Sequence, residues 1–296
     1  MLTRRSVVNM MAGAVAGTPS PVPAQTGGQP TAFALIGDRY HNSDYIRTAL
    51  GKTLVSALGL SIDFTDEIRA LSADRLSGYK LLIVFRDGWV WPDGYPDQMT
   101  YPGYAQRASA GIISYPPVPK HEAKSTPWIT AEQGRAVREF TSKGGGILFY
   151  HNVTYISPYN QDFRHVLGAV TQGHPPIRPF KVKVVNSDHP ITRGVCDFVV
   201  TDEQHYVIYD KDPKYVLLRS VNEDGLAFTP GPWEMEHLPM APNSGKLGTS
   251  CEAGWAYDYG KGRVCYLAPG HMIVDLWNPE YEKLQQNAVR WLLHQA

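Results

Sequence analysis

Cysteine is scarce in this 296-residue chain. Cys196, Cys251 and Cys265 form no spaced motif and allow one disulfide at most, which excludes a disulfide-stapled scaffold. An excess of one charge is missing too. Lys and Arg number 28 against 28 Asp and Glu, so the footprint of a nucleic-acid or membrane-surface binder is lacking. No apolar run reaches the roughly 20 residues of a stable membrane span. Neither a dinucleotide fingerprint nor a phosphate loop occurs. No Ser or Cys follows a strand-like run in the setting of a nucleophile elbow, which argues against covalent acyl chemistry. What remains is an ordinary globular composition, 43% hydrophobic and 19% charged, on a chain long enough to bury a large core. Its 27 Gly and 23 Pro imply many loops.

The first residues read as an address. Arg4 and Arg5 precede a short Gly/Ala-rich apolar stretch from Val7 to Gly17, and the segment closes on Val22-Pro23-Ala24. A positive start, a short apolar run and a small final residue describe an export signal, and the paired arginines resemble a twin-arginine leader. The expectation is a signal over 1–24, a linker over 25–30, and a periplasmic or secreted product with a net charge of −2.

From Thr31 onward, short apolar runs alternate with amphipathic ones. Ala32–Gly37 and Lys80–Phe85 read as strands buried on both faces, and Ser61–Phe64 alternates as a strand. Ile46, Leu50, Leu54 and Leu58 form a helical stripe. Thr130-Ala131-Glu132-Gln133 is a capping box for a helix that stops at Gly144-Gly145-Gly146, after which Ile147–Tyr150 is a strand. Further strands are expected at Phe180–Val185, Val216–Leu218 and Arg263–Leu267, and a closing helix from about Glu280. The pattern predicts an α/β fold with a mostly parallel sheet sandwiched by helices and a strand-rich C-terminal half, in one domain over 31–296. A long aromatic insertion, 87–128, carries Trp89, Trp91, Tyr95, Tyr101, Tyr104, Tyr115 and Trp128. Such rings suit the face of a sugar, or they bury one another.

Open α/β sheets bind ligands at the C-terminal ends of their strands, so the polar residues there are the candidates. They are Asp38, Arg39, Tyr40 and His41; Arg86 and Asp87; His151 and Asn152; and His271 after Pro269-Gly270. The run from Gly144 to His151 is the frame of a nucleophile elbow with His151 at the tip, where an imidazole serves as base, metal ligand or hydrogen-bond donor. In an extended segment Glu203 and His205 point the same way. With His41, His151 and His271 they can supply ligands for a divalent metal (Zn, Mn or Fe), or an acid/base pair without one. His121, His165, His174, His237 and His294 are expected to be structural or at the surface. Asp188-His189-Pro190-Ile191-Thr192 and Gly260-Lys261-Gly262 read as turns.

Taken in order, these pieces resemble the trehalose-utilisation (ThuA-like) family. The match rests on His41, Tyr79–Val84, Phe140 through the glycine triplet to His151, Asp188–Thr192 with Gly194, Asp202-Glu203 with Tyr206, and Trp255 through Gly260-Lys261-Gly262-Arg263-Val264 to Gly270-His271. The resemblance implies a class I glutamine amidotransferase-like (flavodoxin-like) α/β fold and a role in carbohydrate metabolism. His151 stands where amidotransferases carry their cysteine, so glutaminase activity is not expected.

The leading expectation is an exported lyase, isomerase or hydrolase acting on a sugar or oxidised (3-keto) glycoside. His151, His271 and Glu203 are its acid/base or metal residues, and His41, Tyr206, Trp255, Trp89 and Trp91 its substrate contacts. His41, His151, His205 and His271 form the candidate metal set. A non-catalytic carbohydrate-binding protein and a metal-dependent amidase or lactonase are the competing expectations. The partner is a small-molecule carbohydrate, and the oligomeric state is not legible.

Overall fold

The computed structural model describes residues 31–92, 124–240 and 247–296. Among them, thirteen strands and the helices between them follow in chain order. The main sheet takes nine strands: β1 (Ala32–Ile36), β2 (Ile62–Thr65), β3 (Leu81–Phe85), β6 (Gly146–Tyr150), β8 (Arg178–Val184), β9 (Phe198–Asp202), β11 (Val216–Val221), β12 (Ser250–Tyr259) and β13 (Gly262–Leu267). Their spatial order is β2-β1-β3-β6-β13-β12-β11-β8-β9. Two small pairs stand apart: β4 (Trp89–Val90) with β5 (Thr126–Pro127), and β7 (Ala169–Gly173) with β10 (Tyr206–Tyr209).

From β2 to β13 every neighbour is parallel; from β13 to β9 every neighbour is antiparallel. The sheet is therefore mixed, and the expected parallel pairing holds for its N-terminal part. The reason is visible in the connections. Helices Ser43–Leu50 and Ala131–Ser142 lie between strands of the parallel half, whereas β12 and β13 join through the tight turn Gly260-Lys261, with Gly260 at φ +61°. β1, β3 and β6 are buried at every residue, as strands covered on both faces must be, while β9 alternates buried and exposed.

Local chemistry sets the helices. The Thr130 hydroxyl accepts from the Gln133 N–H while the Gln133 side chain accepts from the Thr130 N–H, completing the capping box. The helix Gln161–Leu167 begins on the Asn160 side chain and ends on Gly168 at φ +80°. The 46/50/54/58 stripe spans an α-helix that widens into a π-helix over Gly51–Ser56. A spacing of four drifts forward on an α-helix and backward on a π-helix, so the switch keeps Ile46, Leu50 and Leu54 on the core. The helix Pro279–Leu292 packs on the π-helix, with Lys52 paired to Glu282 at their margin.

The antiparallel half curls back. β9 lies four positions from β13 in the sheet, yet Asp202 at its end accepts from the backbone N–H groups of Gly270 and His271. Beside it, Asp275 Oδ1 accepts from the Thr201 N–H at 3.2 Å, and its Oδ2 has no partner among the described residues. Burial, helped by the Asp202 charge, pushes the Asp275 carboxyl up to about 6. A carboxyl raised on folding contributes stability below its unfolded pKa and loses it as pH rises through the folded value. Asp275→Asn is thus expected to exceed the parent by about 1–2 kcal/mol at about pH 8 and to match it at about pH 4. Denaturant midpoints at the two pH values check this; an equal gain at both would sink the burial argument.

Candidate active site

Loops at the C-terminal ends of β1, β3, β6, β9 and β13 meet at one pocket of about 460 Å³. An equally large hollow beside Gly144 and Gly145 opens at the start of β6 and gathers no comparable cluster of histidines.

The β1 loop is organised by Asp38. Its Oδ1 accepts from the Tyr40 and His41 N–H groups and from His41 Nδ1, at 2.8–2.9 Å. Its Oδ2 accepts from the Asp87 N–H and from Asn152 Nδ2, at 2.9 and 2.7 Å. Burial pushes this carboxyl up, but His41 and the N–H donors outweigh it and hold the group near 2. Burial in turn lowers His41 against the pull of Asp38. Its Nδ1 also lies 2.8 Å from the Asn152 amide nitrogen, and its Nε2 is the inward atom.

His151 follows β6 at φ +49°, a left-handed backbone that non-glycine residues seldom adopt. Its ring is wholly buried, and Nδ1 donates to the Ala268 carbonyl at 2.8 Å, again leaving Nε2 as the inward atom. Gly270 makes this fit possible: a Cβ there would lie 2.7 Å from the His151 Cβ and 2.9 Å from the Phe85 ring.

Glu203 closes the cluster. Its Oε2 lies 3.3 Å from His151 Nε2 and 3.3 Å from His271 Nδ1, and His271 Nδ1 lies 3.0 Å from His41 Nε2. Burial pushes the Glu203 carboxyl up, yet contacts from His151, His205 and His271 hold it far below its ordinary value. The same contact with Glu203 raises His151 against its own burial. His41, His151, Glu203 and His271 thus form one group able to hold a metal ion; His174, Glu203 and His205 form another.

The structure brings together His41, His151, His271 and Glu203, and seats His205 3.5 Å from the same carboxylate oxygen, against the His151 ring. Trp89 and Trp91 line the pocket, joined by Tyr155 and Trp233. Trp89 packs against Tyr155 and Trp233, with ring centroids 5.2 and 5.8 Å apart.

Two expected contacts fail. Tyr206 is buried away from the pocket, its hydroxyl donating to the Gly248 carbonyl in a small cluster with Phe228 and Cys251. Trp255 is fully buried, stacked on Tyr266, with Nε1 donating to the Leu167 carbonyl. Both lie on strands, where alternate residues face opposite sides, and theirs is the core side. Of the aromatic insertion, residues 93–123, with Tyr95, Tyr101, Tyr104 and Tyr115, lie outside the described residues, as does His121. Trp128 is a core residue whose Nε1 donates to the Asp87 carbonyl.

His174, expected to be structural, stands 3.6 Å from Glu203 Oε2. It follows β7, whose sequence Ala169–Gly173 has no clear apolar alternation, so its place at a strand end is not legible in the sequence. Asp87 was visible as a residue following a strand but carried no assigned role. It lines the pocket, its Oδ1 accepts from the Trp89 N–H, and its buried Oδ2 has no partner among the described residues. Burial and the adjacent Asp38 charge push the Asp87 carboxyl up to about 8. His189, by contrast, is in a turn as expected, accepting from the Ile191 N–H and packing on Trp291. Cys251 and Cys265 are buried and Cys196 is exposed; all three are free.

The sequence model of the ThuA family, described as trehalose utilisation, matches residues 119–292. Among solved structures, a ThuA-like protein from Bacteroides uniformis is similar over 93% of this chain and 95% of that one, at 18% identity and a TM-score of 0.55. A ThuA-like protein from Parabacteroides merdae gives 14% identity and a TM-score of 0.58, covering 89% of this chain and 90% of that one. A cytoplasmic protein of Salmonella typhimurium gives 12% and 0.51, over 88% and 99%. No curated protein matches. These likenesses agree with the mixed sheet and its strand-end pocket in assigning a glutamine amidotransferase-like α/β fold, and the family match spans more than half the sequence: the chain belongs to the trehalose-utilisation (ThuA) family.

Proposed function

We propose that this protein is a carbohydrate-processing enzyme, a lyase, isomerase or hydrolase, acting on a sugar or oxidised (3-keto) glycoside by metal-assisted acid–base chemistry. One observation carries the reading. The Nδ1 atoms of His41 and His151 are held at Asp38 and at the Ala268 carbonyl, so both rings turn Nε2 onto other electron-rich atoms. One proton relieves one such contact; a divalent cation relieves all of them together. The gaps of 3.0–3.3 Å are those expected between two ligands each about 2.0–2.2 Å from one metal. The buried His151 Nε2, without a hydrogen-bond partner among the described residues, fits the same role. His41, His151, His271 and Glu203 would hold the ion, and an imidazole-rich set suits Zn, Mn or Fe.

Such an ion supplies Lewis acidity, polarising a ketone oxygen and acidifying the neighbouring C–H. The chain's own residues do the rest. Trp89, Trp91 and Trp233 line the wall on which the C–H surface of a pyranose would rest, with the Arg39 guanidinium over one face of Trp91 and His237 stacked on Trp233. Asp87 keeps a proton on Oδ2 at neutral pH and is the donor to a developing alkoxide or leaving oxygen. Asp38 orients the His41 ring. We further propose export through the Arg4-Arg5 leader.

Metal analysis of protein purified without chelator tests the reading, alongside His151→Ala and turnover of 3-keto-glycosides. The expected result is near-stoichiometric metal in the parent, lost in the variant together with turnover. Protein that neither carries nor takes up a divalent ion would overturn the metal-assisted reading.

A further inference from the structure

One oxygen of Glu203 is crowded by four imidazoles. His151 Nε2 and His271 Nδ1 lie 3.3 Å from Oε2, and His205 Nε2 lies at 3.5 Å and His174 Nε2 at 3.6 Å, with the His205 ring packed edge-on against His151 at 4.3 Å between centroids. His174 and His205 have no part in the chemistry proposed above. They come from different places, His174 after β7 and His205 in the loop between β9 and β10, and their ring centroids lie 4.8 Å apart. His174 Nδ1 donates to the Pro175 carbonyl at 3.0 Å, so its Nε2 lone pair faces the carboxylate. His205 is 2% exposed, and neither of its nitrogens has a hydrogen-bond partner among the described residues. Leaving a buried ring nitrogen unpaired costs about 1–3 kcal/mol, and an apolar ring would pack there without that cost. Lone pairs converging on a carboxylate call for a cation.

We propose that His174, His205 and Glu203 bind a second divalent cation, with Glu203 Oε2 bridging it to the first, so that the pocket floor is a two-metal centre. The inference rests on the metal reading above for the first ion. Two imidazoles and one carboxylate select Zn, Mn, Co or Fe over Mg or Ca, which prefer all-oxygen sets. Three protein ligands leave a position for water or substrate. His174 lies at the pocket wall, so that position faces the same cavity as the first ion. A substrate presenting two neighbouring oxygens, such as a hydroxy-ketone or vicinal diol, matches such a pair.

The test is titration of chelator-treated full-length protein with Co²⁺, followed by metal analysis, calorimetry and electron paramagnetic resonance. Two ions per chain are expected, with a signal per cobalt that falls as the second site fills, because a shared oxygen couples the spins. His174→Ala and His205→Gln should each weaken the second binding step at least about 10²-fold while leaving the first. Thermal unfolding of the metal-free variants checks that each folds as the parent does. One ion per chain, lost in His151→Ala and untouched by His174→Ala and His205→Gln, would overturn the second site and leave the first. No bound ion in the parent would overturn both.

Discussion

Asp87→Asn is expected to lower kcat/KM on a 3-keto-glycoside by about 10²–10⁴-fold near neutral pH, with KM little changed. Asparagine keeps the size of the side chain and an acceptor for the Trp89 N–H, so the loop after β3 should hold its shape. What it removes is the proton. In the parent, burial and Asp38 keep the carboxyl largely protonated up to about 8. The acid form is the working one, so kcat/KM should fall as pH rises through that value. The residual activity of the asparagine variant should lack this alkaline limb. Rate profiles from about pH 6 to about pH 10 decide the matter; a variant as fast as the parent, or one retaining the limb, would remove Asp87 from the proton path.

The second large effect is on stability. Trp255→Ala should cost about 3–5 kcal/mol, since a fully buried indole leaves a cavity that neighbours fill only in part. The ring stacks on Tyr266 at 4.2 Å between centroids and meets Tyr209 at 5.0 Å, so both lose a face. The Leu167 carbonyl also loses its indole donor, about 1–3 kcal/mol more where no water replaces it. Against a typical total of about 5–15 kcal/mol, this moves the urea midpoint by a large fraction. Trp255→Phe should recover much of the packing and none of the hydrogen bond. An alanine variant of unchanged midpoint but weakened sugar binding would contradict the core placement and restore the substrate contact expected from sequence.

Why Trp255 misled is instructive. A tryptophan near family motifs reads as a sugar platform, but on a strand one step in sequence moves a side chain from one face to the other. The faces of β12 follow from its pairing with β11 and β13, a long-range fact. The three strand-end histidines were easier. β1 and β6, which precede His41 and His151, are continuous apolar runs because helices cover both faces, and β13 before His271 is nearly so, so the polar residues past their ends stand out. His151 announced itself through the helix, glycine run and strand before it, and its positive φ matches that elbow. The grouping of Glu203 with His151 and His271 is legible from sequence, but the place of His174 is not. It depends on β7, a short run with no clear apolar alternation.

The position of β13 has a consequence for how the protein is made. This strand sits between β6 and β12 and joins the parallel half to the antiparallel half, yet it is among the last elements of the chain. Contacts of such sequence separation form late, after the loop-closure entropy has been met. His271 follows β13 directly, and Asp202 grips its backbone only when β9 is in place. A growing chain therefore exposes His41, His151 and Glu203 long before it can assemble them around one point. The cluster is a record of completed topology: if the proposed ion is held by His41, His151, Glu203 and His271 together, its binding reports that the centre strand has been inserted.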